Sequence, residues 1–176
     1  MPAETAPTDH DLASLFRDHA AFVWRVLKRH GVQPRDLEDA VQEVFLVVHR
    51  KLPEFQGRSS VRTWLYSISA RVASGQRRRA HVQRELLIEA DERAVAEEQP
   101  GHVERKQLLT ALDDALAQLS EDQRAVFVLF EIEDWTLAEI SGALGIPLST
   151  VSSRVYRARA NVERILRRTL RTEEVA

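Results

Sequence analysis

The 176-residue chain has no cysteine, which excludes a disulfide framework and a thiolate metal site and fits a reducing compartment. No apolar run approaches the roughly 20 residues that span a bilayer. Residues Met1–Asp11 are polar and partly acidic, without the apolar core of a signal peptide. A soluble, cytoplasmic protein is expected. Catalytic signatures are missing as well. Gly142 and Gly145 stand three apart without the Lys-Ser/Thr pair of a phosphate-binding loop. The histidines, His10, His19, His30, His49, His81 and His102, show no metal-binding spacing, and His30 and His49 are expected on helix surfaces. There is no G-x-S-x-G elbow. Asp39 and Glu43 lie four apart on one helical face, but no histidine or further acid joins them. A protein-contact or solvated face is the better reading. No enzyme, metal or cofactor is expected.

Glycine and proline are also scarce, at six each. With plentiful Leu, Val, Ile and Ala in long 3.6-residue periodicities, this argues an all-α protein. Leu12-Leu15-Phe16-Phe22-Val23-Val26-Leu27 marks a first helix ending near Gly31, after residues 1–11, which read as a disordered tail. Asp36 is a candidate N-cap for a second helix with the apolar face Leu37-Ala40-Val41-Val44-Phe45-Val48. Ser59 or Ser60 caps a third, with Val61-Leu65-Ile68-Val72 inside, continuing through Gly75 into Arg77-Arg78-Arg79. These three helices make a first domain, residues 12–84. Residues 85–103 lose the periodicity, turn acidic and end in Pro100-Gly101, as a linker would. Four more helices are expected over residues 104–176, the second opened by a Ser120/Gln123 capping box.

A formal net charge of −2 says little about partners, whereas its distribution says more. Arg50–Arg84 carries Arg50, Lys51, Arg58, Arg62, Arg71, Arg77, Arg78, Arg79 and Arg84 against Glu54 alone. Glu85–Asp122 is strongly acidic, and Arg154–Arg171 is basic with Glu163 its only acid. Two basic blocks around an acidic one suggest nucleic acid at two places.

The second basic block belongs to a helix-turn-helix pattern. Thr136 and Glu139 form a T-x-x-E capping box, Gly145 suits the left-handed turn that ends a helix, and Pro147 blocks its continuation. The helix from Leu148 then carries Ser149, Thr150, Ser152, Ser153, Arg154, Arg157 and Arg159 around an apolar stripe. Small hydroxyls followed by arginines suit a helix lying in a major groove. In the first block, Phe55, Trp64 and Tyr66 are interleaved with Arg58, Arg62 and Arg71, the composition that stacking on unpaired bases requires. Trp64 adjoins the stripe residue Leu65, so core packing and base stacking both fit it. Tyr66, two positions before Ile68, is expected on the surface.

D-L-E-D-A-V-Q-E-V-F (Asp36–Phe45) and F-Q-G-R-S-S-V-R-T-W-L-Y (Phe55–Tyr66) resemble the second region of bacterial sigma factors of the extracytoplasmic-function (ECF) group. L-S-E-D-Q-R-A-V-F (Leu119–Phe127) and L-G-I-P-L-S-T-V-S-S-R-V-Y-R-A-R (Leu144–Arg159) resemble their fourth region. The resemblance implies a two-domain transcription initiation factor. Its implied partners are core RNA polymerase, at the largest subunit's clamp helices and the flap region, promoter DNA, and an anti-sigma factor. Asp39, Gln42, Glu43 and Phe45 would meet the clamp helices. Lys51, Phe55, Arg58, Ser59, Arg62, Trp64 and Tyr66 would recognise and open the −10 element, while Arg71 and Arg77, Arg78 and Arg79 hold phosphates. At the −35 element Ser152, Ser153 and Arg157 would approach base edges, Thr150, Arg154 and Arg159 would lie nearer the DNA backbone, and Ser149 would join the same contact surface. Tyr156 would meet a thymine methyl. The acidic linker would thread the polymerase interior and mimic nucleic acid.

Three residues depart from the pattern. Arg71 stands where many relatives have Asn, Gly75 where they have Asp, and Asp134 where a Gly precedes the first helix of the helix-turn-helix. Gly75 costs up to about 1 kcal/mol relative to Ala inside a helix, which leaves the end of the third helix open. The rival reading is a free-standing regulator that binds a palindromic operator as a dimer, with residues 12–84 unrelated to DNA.

Overall fold

The structure, a computed structural model, describes the backbone of residues 11–86 and 102–173 and the side chains of residues 11–80 and 107–168. The expected tail before Asp11 and all but the ends of the expected linker lie outside the described residues. Among the described residues there is no strand. The chain divides into two compact units, one up to Arg77 and one from Arg78.

The N-terminal unit holds α1 (Leu12–Arg29), α2 (Leu37–Lys51) and the first four turns of α3 (Val61–Leu86). Asp11 belongs to α1 rather than to a tail, because its Oδ1 accepts from the Ala13 amide at 3.1 Å and caps the helix. Gly31, at φ +85°, turns the chain out of α1, in the left-handed conformation that glycine adopts without strain. Asp36 does not cap α2 with its side chain. It closes a 3-10 turn, Pro34–Asp36, and its carboxylate sits 3.8 Å from Arg35 Nε. Proline at the start of that turn fixes the entry to α2 without a polar cap. Ser60, of the two candidates, caps α3, its Oγ accepting from Thr63 N at 3.1 Å.

Leu15, Phe22, Val23, Val26 and Leu27 of α1 pack against Leu37, Ala40, Val41, Val44, Phe45 and Val48 of α2. From α3, Leu65, Tyr66, Ile68, Ser69, Val72 and Ala73 complete the core. The buried face of α3 is therefore wider than the single stripe read from sequence, and it takes in Tyr66. Gly75 does not end the helix. On its two sides Val72 and Ala73 are buried, Gln76 Nε2 donates to Glu43 Oε2 at 2.9 Å and Arg77 Nη1 donates to the His30 carbonyl at 2.7 Å. These ties offset the glycine's intrinsic cost.

The C-terminal unit contains the four expected helices, α4 (His102–Ala117), α5 (Glu121–Phe127), α6 (Leu137–Leu144) and α7 (Leu148–Glu173). Its core gathers Ala115, Leu116, Leu119, Phe127, Val128, Ala158, Val162 and Ile165. Ser120 caps α5, but only half of the expected box forms. Ser120 Oγ accepts from Gln123 N at 3.3 Å, while Gln123 Oε1 accepts from Asn161 of α7 at 3.2 Å. After α5 the chain widens into a π-helical turn, Val128–Ile132.

Candidate nucleic-acid interface

The helix-turn-helix forms as its caps predict. Thr136 N donates to Glu139 Oε2 at 2.8 Å and Glu139 N donates to Thr136 Oγ1 at 3.2 Å, closing the box that opens α6. Gly145 takes the left-handed conformation at φ +65° and ends it. Ser141 Oγ donates to the Ile146 carbonyl at 2.6 Å and holds the turn. Asp134 is also left-handed, at φ +55°, which accounts physically for glycine being the common residue there.

Val151, Val155, Ala158, Val162 and Ile165 turn α7 towards the core. The opposite side therefore presents Ser149, Ser152, Ser153, Tyr156 and Arg157 to solvent, and Tyr156 is 76% exposed. The remaining candidates on α7 flank this face. Thr150 is half-buried, and its carbonyl accepts from Ser153 Oγ at 3.0 Å. Arg154 Nη2 lies 2.7 Å from Asp122 Oδ2 of α5. Arg159 pairs with Glu131 and stacks its guanidinium 5.2 Å from the Phe130 ring centre. Both arginines thus brace α7 against α5 and the π-helical turn, whereas Arg157 extends from the exposed face.

In the N-terminal unit the structure draws several candidates into one place. Lys51, Phe55, Arg58, Ser59 and Trp64 line a cavity of about 380 Å³, together with Glu54 and Gln56. Phe55 and Trp64 stack on one another, with ring centres 4.5 Å apart and planes 27° apart. Trp64 is half-buried, so it is neither a core residue nor a free platform. Ligand sites are usually clefts of about 300–1,000 Å³ with a few placed polar groups, and this one has two cations, a carboxylate, a hydroxyl and an amide beside an aromatic pair.

Tyr66 is not part of this surface. It is 2% exposed, against the expectation, and its Oη shares a hydrogen bond of 3.3 Å with Nε2 of His30. The rings meet edge to face with centres 5.7 Å apart. His30 is buried too, not on a helix surface, because the C-terminal turn of α1 runs beneath α3. Burial pushes the Tyr66 phenol well above its ordinary titration range. Arg62 lies over the Phe22 ring, 4.9 Å from its centre, and Arg77 is turned to the His30 carbonyl. Arg71, Arg78 and Arg79 are exposed along α3.

On α2, Asp39 and Gln42 are exposed and Glu43 is half-buried beside Gln76. Phe45 points inward instead. It is 6% exposed and packs edge-on against Phe16, with ring centres 4.8 Å apart. It supports this face from beneath. Gln42 also borders an apolar groove of about 440 Å³ between Phe16, Ala20, Ala21 and Trp24 of α1 and Glu38 and Val41 of α2. Among the described residues no cluster of His, Cys, Asp or Glu could hold a metal ion, and no helix is long and apolar enough to cross a membrane.

A family model for Sigma-70 region 2 matches residues 15–82, and one for Sigma-70, region 4 matches residues 109–162. The chain is 32% identical over 150 residues to the ECF RNA polymerase sigma factor SigL of Mycobacterium tuberculosis, an alignment that covers 84% of each protein. The chain belongs to the ECF sigma factors. As a sigma factor it is a promoter-recognising transcription initiation factor rather than an enzyme. It is 35% identical over 148 residues to the ECF sigma factor SigE of Mycolicibacterium smegmatis, covering 82% of this chain but only 57% of that longer relative. Its fold is that of the sigma factor RpoE from Bartonella quintana, solved in complex with the anti-sigma factor NepR. The TM-score is 0.70 at 22% identity, over 90% of this chain and 98% of that one.

In this sigma factor, region 2 contains the cavity and the α2 face, and region 4 contains the helix-turn-helix. Gln56, within the Phe55–Ser60 loop that the resemblance implies at the −10 element, and Glu54, the one acid of the first basic block, also line the cavity. Arg124 was silent in the sequence. It is buried and donates to the carbonyls of Leu116 at 2.7 Å, Ala117 at 3.0 Å and Leu119 at 3.3 Å. The guanidinium therefore closes the C-terminal end of α4, where carbonyls lack i+4 amide partners and Leu116 otherwise has only the Leu119 amide at 3.2 Å.

Proposed function

We propose that this sigma factor binds core RNA polymerase through the α2 face, reads a −35 element with α7 and opens the duplex at a −10 element with the N-terminal unit. The observation that carries the −10 assignment is the cavity itself, which gathers a lysine, an arginine, a serine and a stacked Phe55–Trp64 pair from separate elements. Extruding a base costs a few kcal/mol of unstacking, and stacking it on an aromatic returns roughly 1–3 kcal/mol, so a walled aromatic site can hold a melted strand open. Exposed Arg71, Arg78 and Arg79 would neutralise phosphates alongside.

At the −35 element, Ser152, Ser153, Tyr156 and Arg157 face the base edges. Arg154 and Arg159, braced by Asp122 and Glu131, fix the angle of α7 and sit at the margin towards the backbone. For the polymerase, Asp39, Gln42 and Glu43 offer an acidic and amide surface to the clamp helices, with the adjoining Phe16–Trp24 groove taking apolar side chains. The flap region would receive the C-terminal unit. An anti-sigma factor, such as the one bound by the Bartonella relative, would compete for these surfaces.

Run-off transcription with core RNA polymerase over a library of genomic promoter fragments tests the reading. Promoter-dependent transcripts from a non-palindromic pair of elements are expected, together with weak duplex binding by the chain alone. Tight autonomous binding to a palindrome with no transcript from any fragment would replace it with an operator-binding regulator.

A further inference from the structure

Among the described residues of α7 the large apolar side chains are buried or half-buried except Leu148 and the aromatic Tyr156. Leu148, the first residue of the helix, is 51% exposed. Its backbone is firmly placed. The carbonyl of Pro147 accepts from Thr150 N at 2.9 Å and from Val151 N at 3.0 Å, and the proline ring fixes the chain just before the leucine. Residues four apart share one side of a helix, so Leu148, Ser152 and Tyr156 form a line that drifts slowly across the exposed face.

The first residues of a recognition helix are those that approach base edges. In the major groove the apolar feature that distinguishes one base is the C5 methyl of thymine. A leucine in this place has no hydrogen bond to offer and gains only by covering such a group. We infer that Leu148 reads a thymine methyl in the upstream promoter element, a specificity role that neither residue spacing nor the family resemblance assigns to it. The inference rests on α7 being the −35 reader. Tyr156 addresses a different base pair, since eight residues of helix rise about 12 Å, more than three base-pair steps of about 3.4 Å.

The test uses the full chain with core RNA polymerase on a promoter fragment that supports run-off transcription. Thymines of the upstream element, on both strands, are replaced one at a time by uracil, which pairs identically but lacks the methyl. Competition binding is then measured for the unaltered protein, Leu148→Ala, Leu148→Met and Tyr156→Ala. At one position uracil should weaken the unaltered holoenzyme about fourfold, the factor equivalent to burying one methyl-sized group at about 0.8 kcal/mol. Leu148→Ala should bind thymine and uracil there equally, while Leu148→Met and Tyr156→Ala keep the preference. A thymine preference that survives Leu148→Ala at every position, or is absent from the unaltered protein, overturns the inference while leaving the sigma-factor reading intact. Failure of every fragment to support a promoter-dependent transcript would instead remove that reading, and this inference with it.

Discussion

Tyr66 carries a phenol into the interior of the N-terminal unit, where its partner is the His30 ring at 3.3 Å. The folded state raises its titration well above the ordinary value near pH 10, because burial disfavours the phenolate. The folded protein therefore holds this proton more tightly than the unfolded chain does. That contribution is fully present below about pH 10 and is lost as pH rises through the folded value. Tyr66→Phe should cost about 1 kcal/mol near neutrality through the lost hydrogen bond, and should show a shallower loss of stability in alkali. Thermal unfolding of both proteins across the alkaline range checks this, and identical slopes would shift the effect to another group. Arg124 gives a second test. Arg124→Met keeps the apolar stem but removes a donor from the carbonyls of Leu116 and Ala117 at the end of α4 and of Leu119 just beyond it, leaving Leu116 only the Leu119 amide. A loss of about 2–3 kcal/mol is expected in denaturant unfolding, and a loss below about 0.5 kcal/mol would mean that water satisfies those carbonyls instead.

The helix-turn-helix depends on two left-handed residues of different kinds. Gly145 adopts its conformation freely, whereas Asp134 does so at a steric cost. Asp134→Gly should raise stability by up to about 1 kcal/mol with no change in DNA preference. A decrease would show that the Asp134 side chain contributes a compensating contact. On α7 the distinction between bracing and reading arginines is equally open to measurement. Arg157→Ala in the holoenzyme should lose roughly 1–3 kcal/mol of discrimination at a single −35 base pair. Uniform weakening over all −35 sequences would assign Arg157 to phosphates, the part that Arg154 and Arg159 approach from the margins. The family resemblance implies that division, and its physical basis lies in Asp122, Glu131 and Phe130, residues of other elements.

On the proposed reading, polymerase contact and strand opening would fall to one unit and duplex reading to the other. Asp39→Lys tests the first of these cleanly. Asp39 is exposed, whereas Glu43 is tied to Gln76 of α3, so reversing Glu43 would disturb packing as well as contact. Asp39→Lys should compete poorly with the unaltered protein for core RNA polymerase while losing no more than about 1 kcal/mol of stability, the cost of a cation in the first turn of α2. Undiminished competition would move the polymerase contact away from α2.

Helix order and the caps at Thr136 and Gly145 were legible in the chain, and the α3 cap was narrowed to Ser59 or Ser60, because periodicity and capping are local and need only a few neighbouring residues. The family was legible for the same reason, since two motif-rich stretches in order identify it. What needed the tertiary structure was the direction of individual side chains. Phe45 and Tyr66 carry the same aromatic signal as Phe55 and Trp64, yet the first pair faces the core and the second lines a cavity. Arg77 belongs to the same triplet as Arg78 and Arg79, yet it caps α1 through the His30 carbonyl. Local pattern determines which residues can form a helix and which face is apolar. How wide a face is buried, and which cation finds an internal carbonyl before it can meet a phosphate, depends on where a neighbouring helix lies.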